Sequence, residues 1–142
     1  MKKLEVKQFD ISEVDEATLL SVEEARKLQK SIRACGNWWW LRSPGYFHDS
    51  AAIVCDDGDV GVHGDFVGNG DSAVRPAFRL NNINSKIGGK VMIGKTQCTV
   101  IDNNLLLADC PVCKHRFDEK SNIWESSELK EFINSEEFKK MI

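Results

Sequence analysis

Hydrophobic residues recur at helical spacing in a segment near the N-terminus of the chain. Ser21 precedes this segment and Glu24 follows three positions later, which is the spacing of a capping box that satisfies two backbone donors at a helix start. We therefore predict a helix over residues 22–33, with Gly36 ending the region. Its apolar positions are Val22, Ala25, Leu28 and Ile32.

The C-terminal stretch SSELKEFINSEEFKKMI, residues 126–142, has the same helical period. Ser127 is the predicted N-cap, and Glu128 and Glu131 complement the positive end of the helix dipole. The predicted apolar face consists of Leu129, Phe132, Ile133 and Phe138.

Shorter apolar runs between turn residues predict strands. Residues 51–55 and 60–63 form a predicted hairpin, joined by Asp-Asp-Gly-Asp at 56–59. Residues 10–16 are acidic and predict a loop, and Asp-Asn-Asn at 102–104 predicts a tight turn. Further strands are predicted at 78–80, 90–93, 97–101 and 105–109, together with a short edge strand formed by Leu4, Val6, Phe9 and Ile11.

These elements predict an α+β protein with mainly antiparallel strand pairing. A length of 142 residues suits a single domain, 1–142. The segment NNINSKIGG is rich in Asn, Gly and Ser, and we assign residues 82–89 of it as a linker. The linker separates a half at 18–81 from a strand–helix half at 90–142.

Charge and composition restrict the function classes. The net charge of −3 argues against a nucleic-acid partner, because no overall basic field is present. No apolar run has the length of a signal peptide core or of a membrane span, so we expect a cytoplasmic protein without a membrane partner. The five cysteines are an odd number and predict free thiols rather than a disulfide framework.

The stretch GNWWWLRSPG, residues 36–45, concentrates unusual aromatic surface. Side chains alternate along a strand, so Trp38 and Trp40 are expected on one face and Trp39 on the other. Core packing is the favoured explanation for at least one face. The other face could serve as a stacking platform for a sugar or a base.

The quoted stretch belongs to an ordered series of motifs. LLSVEEA at 19–25, WWLRSPG, the hairpin, a Gly-rich turn and VRPAFRL at 74–80 follow one another. This series, roughly residues 18–81, resembles an uncharacterised bacterial and phage domain family. The resemblance implies a C-type-lectin-like fold, similar to that of the formylglycine-generating enzymes, with a twisted antiparallel sheet and flanking helices. It also implies a bacterial host cytoplasm or a phage particle as the location.

The C-terminal part resembles the same family in a different order. Residues 100–138 look like the segment that usually precedes the LLSVEEA helix, so the chain resembles a circularly permuted member. A self-contained permuted domain would bring the regions of Met1 and Ile142 together. The alternatives are a homodimer with exchanged halves and a piece of a tandem array.

Several polar and aromatic residues are candidates for ligand contacts. Arginine offers a rigid fork for anions or sugars, although a structural role is the commoner explanation. The Gly-rich and Asp-rich loops between residues 46 and 72 suit recognition, and their spacing does not match a calcium-binding EF-hand. The candidate ligand-binding residues are Trp39, Arg42, Tyr46, His48, Asp65, Asp71 and Arg75.

The motif CPVCKH at 110–115 offers three zinc-ligand types, Cys110, Cys113 and His115. A structural zinc site needs a fourth ligand, and no second Cys-x-x-Cys exists, so no metal and no cofactor are favoured. The sequence also has no nucleophile elbow, P-loop, zinc-protease or dinucleotide motif. The copper-binding cysteine pair of the formylglycine-generating enzymes has no recognisable counterpart here.

The leading hypothesis is therefore a non-enzymatic recognition module that binds a protein or a glycan through the loops between residues 46 and 72. One alternative is an oligomeric structural component, of a phage particle for example, held together by exchanged halves. The other is a small zinc-dependent protein that uses CPVCKH.

Overall fold

The structure, a computed structural model, describes residues 6–142, and it contains two β-sheets with short helices on both faces. The strands are β1 (Lys7–Phe9), β2 (Glu16–Thr18), β3 (Trp39–Pro44), β4 (Ser50–Val54), β5 (Val60–Phe66), β6 (Ala73–Val74), β7 (Ala77–Arg79), β8 (Lys90–Ile93), β9 (Thr96–Asp102), β10 (Leu105–Ala108) and β11 (Cys113–Lys114). The α-helices are α1 (Val22–Arg26), α2 (Lys30–Arg33), α3 (Glu128–Ile133) and α4 (Glu136–Lys139), and 3₁₀ turns occupy Ile11–Glu13 and Trp124–Ser126.

The first sheet has six strands in the order β1-β8-β9-β10-β7-β2, and the second has five in the order β11-β6-β3-β4-β5. Most neighbours are antiparallel, as predicted, but β1 pairs parallel with β8 and β3 pairs parallel with β6. The α+β class is retained. The expectation of one antiparallel sheet is wrong, because residues 6–142 form two sheets with mixed pairing.

Strands from both halves of the chain complete the same sheets. In the first sheet, β8, β9 and β10 lie between β1 and β7, so the C-terminal half fills the middle of a sheet whose edges come from the N-terminal half. In the second sheet, β11 adds to the edge formed by β6. The segment at 82–89 connects the halves as a loop, in which Asn82, Asn84 and Gly88 adopt positive φ.

The described ends of the chain meet at one turn. The N–H of Gly94 donates to the carbonyl of Phe9 at 2.9 Å, and the N–H of Lys95 donates to the carbonyl of Ile142 at 2.8 Å. The β8–β9 turn therefore holds the first strand and the last residue side by side. Met1 and Leu4, named in the sequence-based expectations, lie outside the described residues.

The core is divided between the two faces of the sheets. Trp40, Ile53 and Phe78 belong to one hydrophobic cluster, which also contains the apolar residues of α3 and α4. Trp39 and Val54 belong to a second cluster, against which α1 and α2 pack. Adjacent residues of β3 and β4 thus face opposite clusters, which explains why both strands are apolar without alternation.

The predicted helix over 22–33 is broken into α1 and α2. The capping box of Ser21 and Glu24 is confirmed. The break follows Lys27, and Gln29 adopts an extended conformation. The guanidinium of Arg33 donates to the carbonyl of Leu28 at 2.9 Å, so an arginine satisfies an acceptor that a continuous helix would have used.

The predicted C-terminal helix is likewise divided into α3 and α4. Ser127 caps α3, as predicted, through a hydrogen bond from the N–H of Lys130. Ser135 caps α4 in the same way and interrupts the helical run. None of the helices in residues 6–142 has the length and apolar character needed to cross a bilayer.

The predicted hairpin is confirmed, with strands β4 and β5 joined by a turn at 55–59. Strand β5 extends to Phe66, beyond the predicted end, and contains a bulge between the pairs Ala51–Asp65 and Ile53–Gly61. Gly64 lies at this bulge with φ of +82°, and a Cβ atom there would collide with the carbonyl oxygen of Ala51. The bulge sets the direction of the exposed side chains on β5.

We predict that Gly64→Ala lowers the free energy of unfolding by roughly 2–4 kcal/mol, because the new methyl group adds a steric clash to an unfavourable backbone conformation. Urea denaturation measures the change. Gly70→Ala is the control, since no atom lies within 4 Å of the place that its new methyl group would take, and we expect a change of less than about 0.5 kcal/mol. Equal effects of the two substitutions would contradict this account of the bulge.

Candidate functional site

A hydrogen-bonded turn after β3 presents two aromatic side chains to solvent. Ser50 organises this turn from a buried position. Its hydroxyl accepts from the N–H of Phe47 at 3.0 Å and lies 3.0 Å from the carbonyl oxygen of His63. The N–H of Tyr46 also donates to the carbonyl of His63, at 3.0 Å. The turn is therefore fixed to β5 along its length.

Tyr46, Phe47 and His63 form what we call the aromatic surface. The rings of Tyr46 and Phe47 meet edge to face with centroids 5.0 Å apart, and the rings of Tyr46 and His63 lie 5.3 Å apart. Tyr46 is 72% exposed and Phe47 is 61% exposed. A cluster of exposed aromatic side chains on a fixed turn is a feature of binding surfaces.

A residue of the C-terminal half, Asn122, also hydrogen-bonds to this turn. The side-chain amide of Asn122 donates to the carbonyl of Phe47 at 3.0 Å, and its backbone N–H donates to the carbonyl of His48 at 3.2 Å. His48 directly follows Phe47 in the sequence, and its side chain is exposed. The N–H of Val67 donates to the carbonyl of Asp49 at 2.8 Å, which joins the turn to the next loop.

Asp65 organises that next loop rather than standing free for a ligand. One carboxylate oxygen accepts from the side-chain amide of Asn69 at 2.6 Å and from the hydroxyl of Ser72 at 3.2 Å. The other oxygen accepts from the N–H of Phe66 at 2.8 Å. Asp71 is exposed at the end of the loop, so its carboxylate is accessible to a partner.

Trp39 does not form a ligand platform. It is completely buried, and its indole N–H donates to the carbonyl of Arg33 at 3.0 Å. Trp40 is also completely buried, and its indole N–H donates to the carbonyl of His115 at 2.8 Å. Trp38 precedes the strand and is 49% exposed, so it does not share the buried position of Trp40. The expectation that Trp39 contacts a ligand is wrong, because both faces of β3 are covered by other parts of the protein at Trp39 and Trp40.

Arg42 holds β3 to the start of α1. Its guanidinium donates to the carbonyl of Leu19 at 2.7 Å and forms an ion pair with Glu24. Burial opposes ionisation of Glu24, but hydrogen bonds from Arg42 and from the N–H of Ser21 outweigh it and hold the pKa of this carboxyl below its ordinary value. These contacts support a structural role for Arg42 rather than a role in ligand binding.

Arg75 is buried in the core beside Trp39. Its guanidinium carbon lies 4.9 Å from the centre of the Trp39 ring, and its Nε donates to the carbonyl of Ala108 at 2.7 Å. Burial lowers the pKa of the guanidinium from its ordinary value, although the nearby Cys35 and Asp109 oppose this effect. Arg75 is not part of the aromatic surface.

The zinc candidates in CPVCKH do not assemble into a ligand set. Within residues 6–142, no group of three or more His, Cys, Asp and Glu side chains is placed to hold a metal ion. Cys110 is exposed, whereas burial raises the pKa of Cys113 to about 11. The ring of His115 stacks on Phe132 at 4.3 Å, and its Nδ1 lies 2.6 Å from the carbonyl of Arg116.

Sequence reasoning missed part of the aromatic surface. Phe47 follows Tyr46 directly in a turn after Ser-Pro-Gly, and two consecutive aromatic residues in a predicted turn were the available signal. His63 and Asn122 gave no such signal, because their positions depend on the bulged hairpin and on the packing of the C-terminal half.

One family model matches the chain, that of a domain of unknown function, DUF6273, and the match covers residues 5–82, more than half of the 142 residues. The matched region includes the aromatic surface and strands β1 to β7. No curated protein and no solved structure gave a significant match to the chain.

We predict that the cysteines of CPVCKH differ strongly in reactivity. Iodoacetamide at pH 8 should modify the exposed Cys110 first. Because burial raises its pKa, Cys113 holds little thiolate at this pH and should react roughly a hundredfold more slowly than in the unfolded chain. Its rate should rise as the pH approaches 11.

Mass spectrometry of the modified peptides measures these rates, and the urea-unfolded chain is the control in which the two rates converge. Equal rates for Cys110 and Cys113 in the folded protein would contradict the described burial.

Proposed function

We propose that this chain, which belongs to the DUF6273 family of domains of unknown function, is a non-enzymatic recognition module that binds a protein or a glycan through the aromatic surface. The observation that carries the proposal is the pair of strongly exposed rings, Tyr46 and Phe47, held on a hydrogen-bonded turn. Adjacent His63 completes the surface.

The energetics favour binding over a purely structural role. An exposed aromatic pair adds little to the stability of the fold, because its area remains in contact with water. The same pair contributes strongly when a partner covers it, and aromatic side chains are common among the residues that dominate binding energy. The turn is already ordered by Ser50 and Asn122, so little conformational entropy remains to be lost on binding.

Exposed polar residues on the two loops indicate how orientation would be specified. His48 lies on the turn that carries Tyr46 and Phe47, Asp71 lies on the loop after β5, and both would hydrogen-bond to hydroxyl or amide groups of a partner. Asp65 supports the loop through Asn69 and Ser72, so it acts as a positioning residue. A ring stacked on the apolar face of a sugar and a ring inserted into a protein pocket both fit this arrangement.

The fold relationship, the permutation and the biological source of the chain are proposals as well. We propose that the fold is related to C-type lectins, that the chain is a permuted member of its family, and that it acts in bacteria or their phages. The meeting of Phe9 and Ile142 at one turn supports permutation, since a permuted domain joins ends that lie close together. The first sheet combines strands from both halves of the chain, as a self-contained permuted domain requires.

The double substitution Tyr46→Ala and Phe47→Ala tests the proposal. The wild-type chain is first screened against immobilised glycans and displayed peptides. For the partner found, we expect the double variant to bind at least roughly thirtyfold more weakly, because two central aromatic contacts are lost. Isothermal titration calorimetry measures the affinities.

Val6→Ala is the matched control, since Val6 is also an exposed apolar residue but precedes β1, far from Tyr46 and Phe47 in sequence. It should leave the affinity unchanged. An unchanged affinity in the double variant, or a screen without any partner, would contradict the proposal.

A further inference from the structure

Arg75 is a buried cation without a carboxylate partner. Only 3% of its surface is exposed, and no carboxylate oxygen within residues 6–142 lies within 4 Å of its guanidinium. Its hydrogen bonds go to backbone carbonyls instead: Nε donates to Ala108, and Nη1 donates to Ile32 at 2.8 Å and to Arg33 at 3.3 Å. A charge in this setting is normally paired.

The third nitrogen of the guanidinium is free. Nη2 of Arg75 has no hydrogen-bond acceptor among the described residues. No side-chain nitrogen or oxygen in this part of the chain is both sealed from solvent and unpaired, so Nη2 must reach open space. Arg75 also lines a cavity of about 320 Å³, together with Ser31, Gly88, Lys90, Thr99 and Asp109.

Asp109 lines the same cavity but forms no hydrogen bond with Arg75. Asp109 accepts from Thr99 at 2.6 Å through one oxygen, and from Lys90 at 3.0 Å and Gln97 at 2.9 Å through the other. Arg75 and Lys90 together exceed the single charge of Asp109 by one, so the cavity favours an anion. Lys90 uses two of its three N–H donors on Thr99 and Asp109 and retains one.

A second groove adjoins this cavity. It has a volume of about 490 Å³ and shares Ile32, Gly88 and Thr99 with the cavity at Arg75. The apolar residues that line it are Leu28, Ile32, Ile87, Val100, Ile101 and Leu105, and the charged residues Glu24, Lys27 and Asp102 line it as well. Volumes in this range are those of small-molecule sites.

From the free Nη2 and the adjoining groove, we infer that the chain binds a small aliphatic carboxylate. The carboxylate accepts hydrogen bonds from Nη2 of Arg75 and from Nζ of Lys90, and the aliphatic chain lies against Leu28 and Ile32 in the groove. This site shares no residue with the aromatic surface, so it adds a second ligand class to the proposed function.

Titration of ¹⁵N-labelled protein with octanoate, acetate and 1-octanol tests the inference. Octanoate should shift the backbone amide resonances of Gly88 and Thr99 and the Nε resonance of Arg75. Acetate lacks the aliphatic chain and 1-octanol lacks the charge. Each should therefore bind at least about tenfold more weakly than octanoate.

Two substitutions localise the site without changing the buried Arg75. Lys90→Gln removes one of the two positive charges that face the carboxylate, and Ile87→Asp places a like charge in the groove wall. Each should weaken octanoate binding severalfold. Lys86→Gln is the matched control for charge, because it removes an exposed lysine on the same loop as Ile87 and should leave binding unchanged.

Equal affinity for octanoate and 1-octanol would overturn the inference, because it would reveal an apolar groove without anion recognition. Unmoved resonances at Gly88, Thr99 and Arg75 would also overturn it. The double substitution at Tyr46 and Phe47 should leave octanoate binding intact, so failure at one site is distinguishable from failure at the other.

Discussion

The fold depends on two consecutive tryptophans that pack on opposite faces of one central strand. Trp39 and Trp40 are completely buried in separate hydrophobic clusters, and each indole N–H donates to a backbone carbonyl of another segment. Burial of one such side chain contributes several kcal/mol, so roughly 3–5 kcal/mol is at stake at each position. Through these contacts, Trp39 fixes the end of α2 and the position of Arg75, and Trp40 fixes the segment at His115.

This arrangement explains where function can lie. Trp39 and Trp40, in the most aromatic stretch of the sequence, are buried in the core and cannot contact a partner. The surface available to a partner therefore comes from the turn that follows, where Tyr46 and Phe47 are exposed. The turn is held by Ser50 and by Asn122, a residue from the other half of the chain. The two halves are therefore linked at the proposed binding surface as well as in the sheets, and a partner would meet a surface that already has its bound shape.

Local patterns predicted the elements but not their arrangement. The capping box at Ser21, the hairpin and the N-cap at Ser127 follow from short-range chemistry and are present. The placement of β8, β9 and β10 inside the first sheet depends on long-range pairing, which residue periodicity does not encode. The helix break is accompanied by the contact of the Arg33 side chain with Leu28, and the surroundings of Arg75 depend on contacts with distant segments of the chain; neither is encoded in residue periodicity. For the same reason, the sequence named the exposed Tyr46 as a candidate for ligand contacts but named the buried Trp39 as well.

The most direct test of recognition by the aromatic surface uses the fact that Tyr46 is the single tyrosine of the chain. Biosynthetic incorporation of 3-fluorotyrosine gives one ¹⁹F resonance, which reports on this position alone. Titration with the glycan or protein found by screening should shift or broaden this resonance along the same saturation curve that calorimetry gives for binding. A partner that saturates the protein while the Tyr46 resonance keeps its position and width would contradict the account.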